Sequence, residues 1–198
     1  MKEIKPLEDV IVAILLAEWE IQKDEQGRRL YFRLDRRKLN VFWDYLNRFK
    51  IIEYVSFDPI TLNGYIKPSI MLERILKEWT GENQVQRIDP RKLRLNMYLI
   101  WVGLFAKKTF NGVAIKTSLG KEQQRTLAIL FNEQFDSTLI VGNTIQLTPF
   151  SPILLRAVQS NRPIEECIEL SYLLPQKEKK IIKQKIIDWE EERSTYAY

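Results

Sequence analysis

Any chemistry in this chain of 198 residues has to proceed without histidine. That rules out a Ser-His-Asp triad, a Cys-His dyad, a His-rich zinc site and an imidazole general base. The lone cysteine, Cys167, cannot close an intramolecular disulfide and points to a reducing compartment. What remains is carboxylate, lysine or tyrosine chemistry, or a carboxylate-bound Mg²⁺. The densest chemical signal is instead a basic one. Arg28, Arg29, Arg33, Arg36, Arg37 and Lys38 crowd one short stretch, with Tyr31 among them and Asp35 its one acid. Guanidinium forks suit bidentate phosphate contacts, and Tyr31 offers a ring on which a base can stack. The same pattern also describes a solvated edge strand kept soluble by its charge. A second basic set, Lys107, Lys108, Lys116, Lys121 and Arg125, is more dispersed. The net charge of +5 and the pI near 9.2 favour an anionic partner, as a statement about association and not about fold.

Two apolar runs must position these residues, 10–21 and 95–106. Neither alternates with period two, and each is apolar nearly all round, so both predict helices buried in a core. Ala13 and Ala17 in one, Gly103 and Ala106 in the other, would let two such helices approach closely and bury each other. The segments C-terminal to the two runs are similar. Residues 28–35 alternate, with Leu30, Phe32 and Leu34 on one face and Arg29, Tyr31 and Arg33 on the other, as in a half-buried strand. Then come a helix over 36–49 and a strand over 51–57 closed by Asp58-Pro59. A helix over 69–79 and a polar linker complete the first half. After the second run the pattern predicts a strand over 112–117, opened by Asn111-Gly112, and a helix over 120–135 with Leu127, Leu130, Phe131 and Phe135 inward. A hairpin of 138–141 and 144–148 around Gly142-Asn143 comes next, then a helix over 151–159. Thr144, Gln146 and Thr148 share the hairpin's polar face. Trp43, Trp79 and Trp101 sit among aliphatics at helical spacing and read as core.

The chain therefore reads as an α+β duplication with a period of about 85 residues. Its parts are a first repeat over 8–80, a linker over 81–94, a second repeat over 95–174 and a charged helical extension over 175–198. That extension carries Lys177, Lys179, Lys180, Lys183 and Lys185 first and Asp188, Glu190, Glu191 and Glu192 last, against the helix macrodipole. One reading sets the lysines on phosphate and the acids on a basic protein. The other docks a solvated helix on the body through Ile182, Ile186 and Trp189. Neither apolar run approaches the roughly 20 residues that span a bilayer, so no membrane partner is expected. The N-terminus has neither an Arg/Ser-rich presequence nor a signal-peptide pattern, which suggests a soluble protein working where it is made.

The first repeat opens with Leu15-Leu16-Ala17-Glu18-Trp19-Glu20-Ile21 after the apolar stretch from Val10. The second offers Leu99-Ile100-Trp101-Val102-Gly103-Leu104-Phe105-Ala106-Lys107. Together with Ile88-Asp89-Pro90-Arg91-Lys92-Leu93 before the second run and Val113-Ala114-Ile115-Lys116-Thr117 after it, they resemble the LAGLIDADG homing endonucleases and intron maturases over roughly residues 8–174. The resemblance implies a single-chain pseudo-dimer of two αββαββα-type repeats, monomeric, with the signature helices packed at a pseudo-dyad and twisted sheets laid over nucleic acid. In that family the last acid of each signature helix holds divalent metal above the scissile phosphates, by two-metal logic. Here the first acid falls on Glu18, followed by the bulky Trp19 where the family has glycine. The second falls on Phe105, between Leu104 and Ala106, and none of the three can bind metal. The resemblance thus implies a nucleic-acid-binding protein that is catalytically inactive and carries no metal or other cofactor. The leading expectation is an RNA-binding component of an organellar ribosome or other ribonucleoprotein, with rRNA and ribosomal proteins as partners, in a mitochondrion or plastid. An intron maturase and an active site-specific DNA endonuclease are the alternatives.

Overall fold

The computed structural model describes residues 5–81, 85–110, 112–135, 138–140, 142, 144–159 and 173–195. Asn111, Asn143, Cys167 and the Trp189 side chain lie outside the described residues.

The first apolar run divides where its pattern changes. α1 (Lys5–Leu15) is buried at every position from Val10 to Leu15. The chain then turns, and Trp19–Asp24 forms β1, whereas the apolar run predicts a helix continuing through Ile21. The physical reason is local. From Glu18 onward the residues alternate, Glu20 and Gln22 exposed against Trp19 and Ile21 half-buried, which suits a strand paired on one side. β1 pairs antiparallel with β2 (Gly27–Arg33). Gly27 closes that hairpin at φ 126, a backbone angle that side-chain-bearing residues rarely adopt.

A 3-10 turn at Arg36–Lys38, capped by the Asp35 carboxylate, leads into α2 (Leu39–Arg48). The expected strand over 51–57 is shorter than its composition suggests. The backbone N–H of Ile51 returns to the carbonyl of Leu46 and that of Lys50 to Asn47, a Schellman ending of α2, and residues 52–54 make a 3-10 turn. Only β3 (Val55–Asp58) enters a ladder, with β4 (Asn63–Ile66), a strand that the sequence pattern does not reveal. α3 (Ile70–Trp79) comes next, with the Ser69 hydroxyl accepting from Leu72 N–H at 3.1 Å.

The second half comprises α4 (Leu95–Phe105), β5 (Lys107–Lys108), β6 (Val113–Lys116), α5 (Lys121–Phe135), β7 (Thr138–Ile140), β8 (Thr144–Thr148) and α6 (Ser151–Gln159). A final helix, α7 (Gln176–Thr195), packs on α6. Both halves run helix-strand-strand-helix-strand-strand-helix. Both sheets are antiparallel with the same order, β1-β2-β4-β3 and β5-β6-β8-β7. The fold is therefore α+β with two small sheets.

The inner rows of the first sheet align Leu30, Ile66 and Val55, then Phe32, Gly64 and Phe57. A Cβ on Gly64 would lie 2.6 Å from the Phe57 ring and 2.7 Å from that of Phe32, so this row closes only over glycine. Buried side chains of both halves join one hydrophobic cluster. At its centre α1 and α4 pack on each other, with Ala13, Ala17, Gly103 and Ala106 all buried. Trp79 and Trp101 are buried and Trp43 packs on the cluster. The connection between the halves is more than a polar linker. Thr80 bridges Val85, and Val85, Ile88 and Leu93 enter the core. Among the described residues no helix is long and apolar enough to cross a membrane.

Candidate nucleic-acid interface

The two central helices end very differently. Beyond α1, Glu18 is exposed and pairs with no cation among the described residues. Its neighbour Trp19 turns back, donating from the indole Nε1 to the Leu15 carbonyl at 3.0 Å, while the Ala17 carbonyl accepts from Ser118 N–H at 2.9 Å. These bonds use carbonyls that a helix end leaves open. At the end of α4, Phe105 packs against the core and Ala106 is buried. Among the described residues no three His, Cys, Asp or Glu side chains gather as a metal site.

Strand register fixes which residues share each sheet's outward face. On the first sheet, one outward row reads Glu20, Tyr31, Tyr65, Ser56, and a second reads Arg33, Asn63, Asp58. Gln22 and Arg29 form a third pair. The Tyr31 and Tyr65 rings lie side by side, centroids 5.2 Å apart and planes 39° apart. Arg29 reaches over Tyr65 with its guanidinium carbon 5.0 Å from the ring centre, a cation–π contact. The acids on this face are engaged. Asp24 holds Arg29 at 2.7 Å, and Glu20 accepts from the Gln22 amide at 3.1 Å. Asp58 accepts from the Thr61 hydroxyl at 2.7 Å and Ile60 N–H at 2.8 Å, which together hold its carboxyl below the usual range.

On the second sheet the corresponding rows are Lys107, Ala114, Gln146 and then Lys116, Thr144, with Thr148 further along β8. Lys107 and Lys116 are both exposed. No acid occupies an outward position on β5, β6 or β8. The two faces thus match position by position. The tyrosine pair of one corresponds to Ala114 and Gln146 of the other, and Glu20 corresponds to Lys107.

Several sequence-derived candidates do not reach these faces. Arg28 belongs to the opposite row of β2 and is drawn to α3, its guanidinium 2.6 Å from the Glu73 carboxylate and its backbone N–H 3.2 Å from the same group. Lys38 is only 6% exposed, because the 3-10 turn rotates it inward ahead of α2, and burial pushes its ammonium pKa down to about 8 against the opposing pull of Asp35. Lys108 faces the row opposite to Lys107. Lys121 and Arg125 are exposed on α5, in the helical layer, and Arg36 and Arg37 on the turn beyond β2. Arg29, Tyr31, Arg33, Lys107 and Lys116 lie on the outward faces. Sequence reasoning missed Tyr65, Asn63 and Ser56 on the first face. The four residues of β4 carry too little alternation to be read, and only pairing with β2 shows where Tyr65 points.

At the N-terminal end of α1 lies a charged cavity of about 410 Å³, lined by Glu8, Arg74, Trp79, Arg87 and Lys92 among others. Its cations are largely spoken for. Lys92 bridges Glu8 at 2.9 Å and Glu78 at 3.0 Å, and Arg91 holds Asp89 at 3.0 Å. Nearby, Arg94 clamps Glu8 at 2.9 Å and the buried Asp9 at 2.8 Å. Burial pushes the Glu8 carboxyl up, but the hydrogen bonds and charges of Lys92 and Arg94 outweigh it and the net shift is downward.

No protein-family model matches this chain, and none of the curated proteins matches it in sequence.

Proposed function

We propose that this chain is an RNA-binding protein on the LAGLIDADG plan that has no metal-dependent nuclease activity and serves as a scaffold in a ribosome or other ribonucleoprotein of a mitochondrion or plastid. The observation that carries the reading is the repeated architecture. Two central helices pack together, each leads directly into the edge strand of a four-stranded sheet, and the sheets share one strand order. Each sheet keeps an open polar face, and the second offers Lys107 and Lys116 without an opposing acid on β5, β6 or β8. The inactive reading is supported by the helix ends. Glu18 stands alone there, while its counterpart Phe105 serves the core. One carboxylate cannot form the symmetric clamp that two-metal cleavage uses.

Filter binding to a structured rRNA fragment across a salt series tests the proposal. Affinity is expected to fall linearly with salt on logarithmic axes, as counterion release requires. In parallel, plasmid DNA incubated with Mg²⁺ is expected to stay intact with wild type and with Glu18→Gln alike. Absence of salt-dependent RNA binding would remove the scaffold reading. Cleavage that disappears in Glu18→Gln would restore a nuclease.

A further inference from the structure

We infer that the two sheet faces divide the work: the first stacks unpaired bases of single-stranded RNA on the Tyr31–Tyr65 platform, and the second holds phosphates through Lys107 and Lys116. The inference rests on the RNA-binding reading above and names the form of RNA that this surface takes.

The asymmetry between matched positions is its basis. A sheet face that contacts only phosphate needs cations at its central positions, as the second sheet has in Lys116 with Lys107 at its edge. At the positions matched to Ala114 and Gln146 the first sheet places two aromatic rings, half-buried on its outward face and outside the hydrophobic cluster, while its own cation Arg33 stands at the position matched to Lys116. The rings are adjacent across two neighbouring strands, and the Arg29 guanidinium lies over the Tyr65 ring. Arg29 is held in place by Asp24 at 2.7 Å and by the Gln26 side-chain carbonyl at 3.1 Å, so it is presented as a fixed plane. Its Nε is buried and has no hydrogen-bond acceptor among the described residues. Base stacking on aromatic and guanidinium planes is how proteins take splayed-out bases, whereas a duplex keeps its bases stacked on each other and out of reach.

The acids on this face do not oppose such a ligand equally. Asp24 is neutralised by Arg29, and Asp58 is turned into its own loop. Glu20 stands at the edge strand, where it disfavours phosphate and so favours presenting bases instead of backbone to this sheet. Around the rings, Gln22, Ser56 and Asn63 supply donors and acceptors for base edges and for the ribose 2′-hydroxyl that distinguishes RNA from DNA.

Fluorescence anisotropy on the full chain tests this, using one labelled single-stranded RNA, the same RNA annealed to its complement, and single-stranded DNA of the same sequence. Wild type is expected to prefer the single-stranded RNA. Tyr31→Leu and Tyr65→Leu are each expected to weaken it by about tenfold or more. Binding of duplex and the salt slope should not change, and Tyr31→Phe and Tyr65→Phe should retain binding because the rings remain. Lys107→Gln with Lys116→Gln is expected to flatten the salt slope by roughly 1.4, at about 0.7 per phosphate contact on a single strand. Thermal melts confirm that these surface variants fold. Leucine variants that bind like wild type overturn the platform, as do phenylalanine variants that lose as much as leucine. Single-stranded DNA bound as tightly as RNA overturns the choice of RNA. A wild type that binds none of the three removes the proposed function itself, which is a different result from binding that ignores the tyrosines.

Discussion

At the scale of single residues, place in the fold decides what each basic side chain does. Arg28 and Arg29 are neighbours in sequence, yet one is tied to Glu73 beneath the sheet and the other lies over Tyr65 on its open face. Lys38 is the extreme case. Its folded pKa of about 8 lies below the ordinary 10.5 because burial disfavours the ammonium form. A base depressed in this way costs stability wherever it must be charged, fully below about pH 8, and the cost fades as pH rises towards 10.5. Lys38→Met is therefore expected to stabilise the protein at pH 7 by on the order of 2 kcal/mol, with the gain shrinking by pH 10. Urea unfolding at the two pH values checks it. A loss at pH 7 would mean that the contacts of the ammonium outweigh its desolvation.

At the scale of elements, the helices are legible in the sequence and the strands only in part. The boundaries of α3, α4, α5 and α6 follow from apolar spacing and breaker residues. β1 is hidden because its first residues continue an apolar run, and β4 because four residues around Gly64 carry little pattern. The end of α2 shows a backbone demand that composition does not announce. Lys50 occupies φ 56 at the Schellman position where glycine is usual, while Leu46 and Ile51 bury the accompanying apolar contact. Lys50→Gly is expected to stabilise by about 1 kcal/mol, since the left-handed conformation costs a side-chain-bearing residue about that much. A thermal melt decides it, and an unchanged or lowered melting temperature would mean that the Lys50 side chain contributes more than its backbone angle costs.

At the scale of the whole molecule, the contacts that join the halves include the α1–α4 packing and the ion cluster at the N-terminal ends of those helices. Arg94, the residue that caps α4, spans Glu8 and the buried Asp9 of α1. Arg94→Met is expected to destabilise by about 3–5 kcal/mol, because it removes the guanidinium that faces the buried Asp9 carboxylate. Asp9→Asn in the same background should recover much of the loss. Denaturant titrations of the two variants measure both effects, and a loss under about 1 kcal/mol would mean that water replaces the guanidinium. The Glu8 carboxyl, shifted down from its ordinary 4.5, contributes stability that is fully present above about pH 4.5 and is lost as pH falls through its folded value.

Local pattern along the chain is enough to specify the duplicated α+β plan, the two central helices, the inward faces of β2 and β8, and the absence of histidine chemistry. Periodicity and composition act over a few residues and leave a mark that can be read in order. The composition of the two open faces has a different origin, in tertiary packing. Tyr65 meets Tyr31 because β4 pairs with β2 in one register, and Arg28 and Lys38 leave the interface because a helix and a turn capture them. Those outcomes depend on which strands become neighbours and which groups lose water, and such pairings between distant residues are set by packing rather than by spacing along the chain.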